Sequence, residues 1–107
     1  MGRLTARRGE IWLVDLGMAQ KIRPVLILSV AHKGLERALV SYVIRTTSLR
    51  GTEYEVAHQA PRFQPGAFDV QSIGTVSDVQ LIRRMNACDP ATLQNVEEAL
   101  KRWLSLP

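Results

Sequence analysis

The sequence predicts a mainly β fold of the α+β class: five to six short strands first, helices last. Three observations carry this. Apolar segments of strand length, alternating or continuous, run from residue 9 to residue 56. The hydrophobic period then changes to helical spacing after residue 77. Strands and helices are segregated along the chain, which fits an α+β layer or a small barrel with a C-terminal helix and excludes alternating βα units.

Each element follows in order. Gly9–Leu16 alternates, with Ile11 and Leu13 on one face and Trp12, Val14 and Leu16 on the other, and Gly17 ends it. A short loop spans Gly17–Ile22. Arg23–Val30 is the second strand; its continuous run Val25–Leu28 implies burial on both faces, and Pro24 belongs at its start. Ala31–Arg37 is a polar connection. Ala38–Ile44 is the third strand and closes in Arg45-Thr46-Thr47-Ser48. Thr52–Val56 is a short fourth strand with Glu53 and Glu55 on one face. Ala57–Gly66 reads as loop, and Phe68–Val76 as two very short strands broken near residues 71–74. Val79, Ile82 and Met85 recur at helical spacing, so Asp78–Met85 is expected to be a short helix capped by Ser77 or Asp78. Asp89-Pro90 is an N-cap followed by proline at the first helical position. Leu93, Val96, Leu100, Trp103 and Leu104 then form one apolar stripe, with Glu97 and Lys101 at i,i+4.

Length and composition bound the function. With 107 residues the chain is a single domain, 1–107. Its 46% hydrophobic and 22% charged content is that of an ordinary globular protein. No apolar run approaches the ~20 residues of a membrane span, and no apolar segment of signal-peptide type follows the charged N-terminus. The single cysteine, Cys88, forms no internal disulfide and no cysteine zinc site, so the cytosol is the expected compartment. The net charge is +4, and eleven of the fourteen basic residues are arginine, the side chain suited to bidentate recognition of phosphate. Ten basic and five acidic residues fall in 1–62, against four and five in 63–107. A basic front half points to a polyanion such as nucleic acid.

Most catalytic constellations are absent. No glycine-rich phosphate loop precedes a helix, and His32 and His58 stand alone in expected loops. Cys88 has no base near it in sequence and reads as an idle or buried thiol. What remains is polar residues at strand ends. Arg23 opens the second strand just after Gln20 and Lys21, and Arg45–Ser48 closes the third. In an antiparallel pair the start of one strand lies beside the end of the next, which would bring Arg23 and Thr46 to one site. Pattern and spacing alone favour a surface ion pair at Arg23 and a plain strand terminus at Thr46. Trp12 and Trp103 read as core; Phe63 and Phe68 are candidates for base stacking or for a dimer contact.

The segments Gly9-Glu10-Ile11-Trp12-Leu13-Val14-Asp15-Leu16, Arg23-Pro24-Val25-Leu26-Ile27-Leu28-Ser29 and Val43-Ile44-Arg45-Thr46-Thr47, in this order and spacing, resemble the MazF/PemK family of toxin endoribonucleases. The tail is similar too: Gly66–Gln71, then Leu81–Arg84, then the amphipathic C-terminal helix. The resemblance implies a small SH3-like barrel of the PemK/CcdB type, with five to six strands, a short helix and a C-terminal helix. It implies a homodimer that cuts single-stranded RNA, such as mRNA, without metal or other cofactor, leaving a 2′,3′-cyclic phosphate and a 5′-hydroxyl. It also implies a cognate antitoxin with an acidic tail. The family's catalytic arginine corresponds to Arg23 and its catalytic threonine to Thr46, with Thr47 as the register alternative. Expected RNA contacts are Gln20, Lys21, Arg45, Thr47, Ser48, Arg50, Phe63 and Gln71. The first loop departs from the family pattern: it is short and lacks an acidic residue just before Arg23. The alternative is a barrel of the same fold that binds nucleic acid or a gyrase-type protein target without cutting; the presence of both Arg23 and Thr46 favours cleavage.

Overall fold

A computed structural model of the chain describes residues 4–107, apart from the Gln20 side chain. Six strands and one α-helix follow in order: β1 (Glu10–Asp15), β2 (Ile22–Ile27), β3 (Leu39–Thr46), β4 (Glu55–His58), β5 (Gly66–Ser77), β6 (Leu81–Ala87) and α1 (Pro90–Leu104). They form one antiparallel sheet in the order β4-β5-β3-β2-β1-β6. The mainly β, α+β expectation therefore holds. The edge strands β4 and β6 do not pair, so the sheet is not closed into a hydrogen-bonded barrel.

Strand alternation sorts the core into two faces. On the first, Trp12, Val14, Val25, Ile27, Val40, Tyr42, Ile44 and Leu81 pack together. On the second, Ile11, Leu26, Val43, Phe68 and Val70 pack with Val96 and Ala99 of α1. The expected run in β2 is seen: Val25, Leu26 and Ile27 are fully buried, two toward one face and one toward the other. Phe68, a stacking candidate by sequence, is also fully buried and offers no ring to a ligand. Trp103 is not core: it is 41% exposed and sets its edge on Tyr54 at 5.2 Å between centroids.

Four further expectations are corrected. Ser77 does cap a turn, and Gln80 completes the capping box, but the turn ends at Gln80. The residues from Leu81 onward form β6 instead of a helix, because Leu81 pairs with Val14 and is buried there, while Val79 and Ile82 stay exposed. Phe68–Val76 is not two strands but part of the single strand β5, and the expected break is a bulge: β5 uses residues 69–74 where β3 uses 42–44. The fourth strand starts at Glu55, not Thr52, because the Glu55 carboxylate accepts the backbone N–H groups of Arg50, Gly51 and Thr52 and holds them in a turn. In α1, Asp89 caps as expected, accepting from Thr92 N–H at 2.9 Å. Glu97 pairs with Arg8, however, and Lys101 with Glu98, so the i,i+4 pair does not form.

Candidate active site

Strand pairing brings the two strand ends together. The β2–β3 register sets Val25 against Ile44, Leu26 against Val43 and Ile27 against Tyr42. Continued outward, it places Arg23 opposite Thr46. Both belong to the alternation of Val25 and Ile44, so both project on the first face. There they line a groove of about 350 Å³ together with Ile44, Ser48, Arg50, Thr52, Glu55, Asp69, Gln71 and Ser72.

Each wall has a local cause. The Arg23 guanidinium is partly buried and makes one long hydrogen bond, 3.5 Å, to the Arg45 carbonyl. Most of its five donors therefore remain unspent. Thr46 Oγ1 accepts the Ser48 N–H at 3.0 Å, a local turn that leaves the hydroxyl proton free to donate. Gly66 keeps the strand end in place from behind: a Cβ there would sit 2.5 Å from the Thr46 carbonyl oxygen, which only glycine avoids.

The far wall is built by the β5 bulge and the β3–β4 turn. Ser72 Oγ accepts the Ile44 N–H at 2.8 Å, a backbone donor that the interrupted ladder leaves over. Asp69 Oδ1 accepts the Gln71 N–H at 3.0 Å. These bonds fix the bulge with Asp69 and Gln71 on the groove. Glu55, directly across from Asp69, is engaged by its three backbone donors, Arg50 N–H first, and they hold its carboxyl below the usual range. It shapes the turn that carries Ser48 and Arg50. Among the described residues no group of three or more His, Cys, Asp or Glu is gathered that could hold a metal ion.

Of the residues singled out by sequence, Arg23, Thr46, Ser48, Arg50 and Gln71 meet in this groove. Thr47 is exposed but alternates to the other side and does not line it. Lys21 is exposed in the β1–β2 loop, where its backbone is left-handed with φ 55°. The Gln20 side chain lies outside the described residues. Arg45 and Phe63 are placed elsewhere. Arg45 is 4% exposed: its Nε donates to His58 Nδ1 at 2.8 Å, and Nη2 donates to the His58 and Gln64 carbonyls at 2.9 and 2.6 Å. Its guanidinium also lies 4.7 Å from the centroid of Phe63. Neither therefore lines the groove: alternation turns Arg45 to the second face, where three of its donors go to His58 and Gln64. Cys88 has no role in the groove, and burial pushes its thiol up to about 11.

Sequence reasoning missed Glu55, Asp69 and Ser72 as parts of this site. Glu55 was legible in part, as an acid a few residues after a glycine turn. Asp69 and Ser72 required the bulge to be placed.

The family profile described as a PemK-like, MazF-like toxin of a type II toxin–antitoxin system matches residues 7–104. The chain is similar to a solved endoribonuclease in complex with its cognate antitoxin from a mycobacterial species, at 28% identity and TM-score 0.81, covering 95% of this chain and 97% of that one. It is also similar to an endoribonuclease from a mycobacterial species, at 26% identity and TM-score 0.81, covering 100% and 98%. A MazE–MazF complex from Deinococcus radiodurans, at 17% identity and TM-score 0.81 with 97% and 100% covered, shares the fold. No helix among the described residues is long and apolar enough to cross a membrane.

Proposed function

The chain belongs to the PemK-like, MazF-like toxins of type II toxin–antitoxin systems, and from that membership we propose that it is a single-domain endoribonuclease cutting single-stranded RNA in the cytosol. The observation that carries this reading is that Arg23 of β2 and Thr46 of β3 line one open groove.

The chemistry follows from what these groups can do. The 2′-hydroxyl of a ribose gives its proton to water or a phosphate oxygen as its oxygen attacks the adjacent phosphorus, the P–O5′ bond breaks, O5′ takes up a proton from water, and a 2′,3′-cyclic phosphate and a 5′-hydroxyl result. Negative charge builds on the non-bridging oxygens in the transition state. A guanidinium with unspent donors and a hydroxyl with a free proton, aimed from opposite strands, stabilise that charge more than the ground state. A guanidinium offers donors and no acceptor, so the role of Arg23 is charge stabilisation and not proton abstraction. Ser48, Arg50 and Gln71 contact the RNA on either side of the scissile phosphate, and Lys21 extends the cationic rim.

The partners follow from the relatives and the surface. Two related structures contain the antitoxin of their toxin, which supports a cognate antitoxin for this chain. Met18 is 96% exposed, and Ile22, Leu49, Trp103 and Leu106 are exposed as well; apolar area of this kind supports a homodimer. The deciding experiment incubates purified protein with a long single-stranded RNA in EDTA and maps the ends. Discrete cuts with cyclic phosphate and 5′-hydroxyl termini are expected. Tight RNA binding with no cuts would assign the protein to the non-cleaving alternative. Cuts that need magnesium would place the catalytic apparatus elsewhere.

A further inference from the structure

The second face carries a cavity of about 530 Å³ that the groove does not use, lined by Pro61, Arg62, Phe63, Arg83, Met85 and Asn86. It lies where the sheet fails to close, between the β4–β5 loop and edge strand β6. Two guanidiniums line it and no carboxylate does. Three other arginines of the surface are matched, Arg84 with Glu10, Arg102 with Glu53 and Arg8 with Glu97. Arg62 and Arg83 make no ion pair among the described residues. Cations gathered without a counter-charge leave a standing attraction for an anion.

The wall is also pre-formed. Arg62 is held left-handed at φ 71°, a conformation costly to any residue with a Cβ. Phe63 N–H closes the turn onto the Ala60 carbonyl at 3.1 Å. Arg45 fastens the same loop at His58 and Gln64 and takes the Phe63 ring by its face. Opposite, Asn86 spends its oxygen on the Ala87 N–H at 2.8 Å, which leaves its amide protons to donate outward. An aromatic ring and a thioether thus sit beside two cations and an amide donor. That combination matches a nucleotide: a flat base on Phe63 and Met85, its acceptor edge on Asn86, and its phosphate on Arg62 and Arg83.

We propose that this cavity is a second RNA-binding site, which holds a nucleotide of the substrate strand outside the cleavage groove. The inference rests on the endoribonuclease reading, since the strand is the one the groove cuts. The two sites lie back to back at the end of β3, where Thr46 lines one and its neighbour Arg45 fastens the wall of the other. A strand engaged in the groove reaches the cavity by rounding that end of the sheet.

The test compares the wild-type protein with Arg62→Gln/Arg83→Gln on two substrates, an oligonucleotide of about 6 nucleotides and an RNA of about 25 carrying the same cut site. For the long RNA the variant's KM is expected to rise about tenfold or more with kcat unchanged, and the log–log salt slope of its binding to flatten by roughly 0.7, one phosphate's worth on a single strand. For the short substrate both constants should stay at wild-type values. Phe63→Leu, which keeps an apolar filler against Arg45 but no ring, should raise KM for the long RNA alone. An unchanged KM for the long RNA overturns the proposal, and so does an equal loss on both substrates, which marks a structural disturbance. If instead binding of a synthetic acidic peptide weakens while RNA kinetics hold, the cavity belongs to a protein partner and the proposal falls. Should the wild-type protein cut neither substrate, the endoribonuclease reading fails by itself, and the salt slope for uncut long RNA still decides whether the cavity binds a strand.

Discussion

Arg23 and Arg45 sit at neighbouring strand ends, and both carry the charge that an RNA-binding surface requires. Their surroundings divide them. Arg23 stands on the groove face with one long hydrogen bond to its name. Arg45 stands on the helix-bearing face, buried, with three short hydrogen bonds and an aromatic ring. The difference teaches that an arginine's function is decided by counting its unspent donors. A guanidinium whose N–H groups are taken up inside the chain stabilises the fold; one whose N–H groups point into an open groove is available to a phosphate.

Substitution separates the two most sharply. Arg23→Ala removes the charge from the groove but no buried bond, so cleavage should fall by roughly a thousandfold or more, with the thermal midpoint nearly unchanged. Arg45→Ala should do the reverse to stability. It orphans His58 Nδ1 and two carbonyls in a buried setting, at a cost of order 2–4 kcal/mol. Its midpoint should drop by more than about 10 °C. Paired melting curves and single-turnover cleavage rates check both. A stable Arg45→Ala protein that has lost activity would reverse the assignment of the two arginines.

The next prediction tests the register at single-residue resolution. Thr46 lines the groove and Thr47 alternates away from it. Thr46→Ala should slow cleavage about ten- to a hundredfold, less than loss of Arg23, because it removes one neutral donor. Thr47→Ala should stay within about twofold, since an exposed hydroxyl off the groove contributes little. Cleavage rates on one RNA suffice. A larger effect at Thr47 would mean that the strand end slides by one residue when RNA binds.

These contrasts also show how much was legible beforehand. β1 to β3 could be read because alternation and a continuous apolar run are local signals, and the meeting of Arg23 with Thr46 followed from antiparallel pairing alone. β6 could not. Val79, Ile82 and Met85 fit helical spacing, and the capping box at Ser77 is real. What stops the helix is Leu81 docking on Val14, a partner some seventy residues upstream that no local window contains. The fate of Arg45 was hidden for the same reason, because His58 and Gln64 are recruited only once β4 and β5 pair. The bulge was half visible: the sequence marks an interruption at residues 71–74, but only the register with β3 shows that the strand runs through it and carries Gln71 to the groove.

The smallest predicted effect lies in the Arg45 region and gives it a pH signature that the groove lacks. His58 is buried against Phe68 and Phe63, and its Nδ1 accepts from Arg45, so the folded protein holds the imidazole neutral. Burial first and the Arg45 charge second lower its pKa from the ordinary 6.5, with Asp89 opposing. The sign follows from linkage. The unfolded chain takes up a proton near pH 6.5 that the folded one resists, so the contribution is full above that value and is lost as pH falls through the lowered folded pKa. Between about pH 7.5 and pH 5.5 the wild-type protein should lose stability. The Glu55 and Asp89 carboxyls are held below their ordinary values of 4.5 and 3.8, so they titrate outside that window and do not mask the effect. His58→Gln keeps an acceptor oxygen for Arg45 but cannot take the proton, and its stability should be flatter over the same range. Denaturant midpoints at the two pH values, measured on both proteins, decide it. Equal slopes would mean that the Arg45–His58 bond opens readily in solution, and that the fold side of the comparison is looser than its hydrogen bonds indicate.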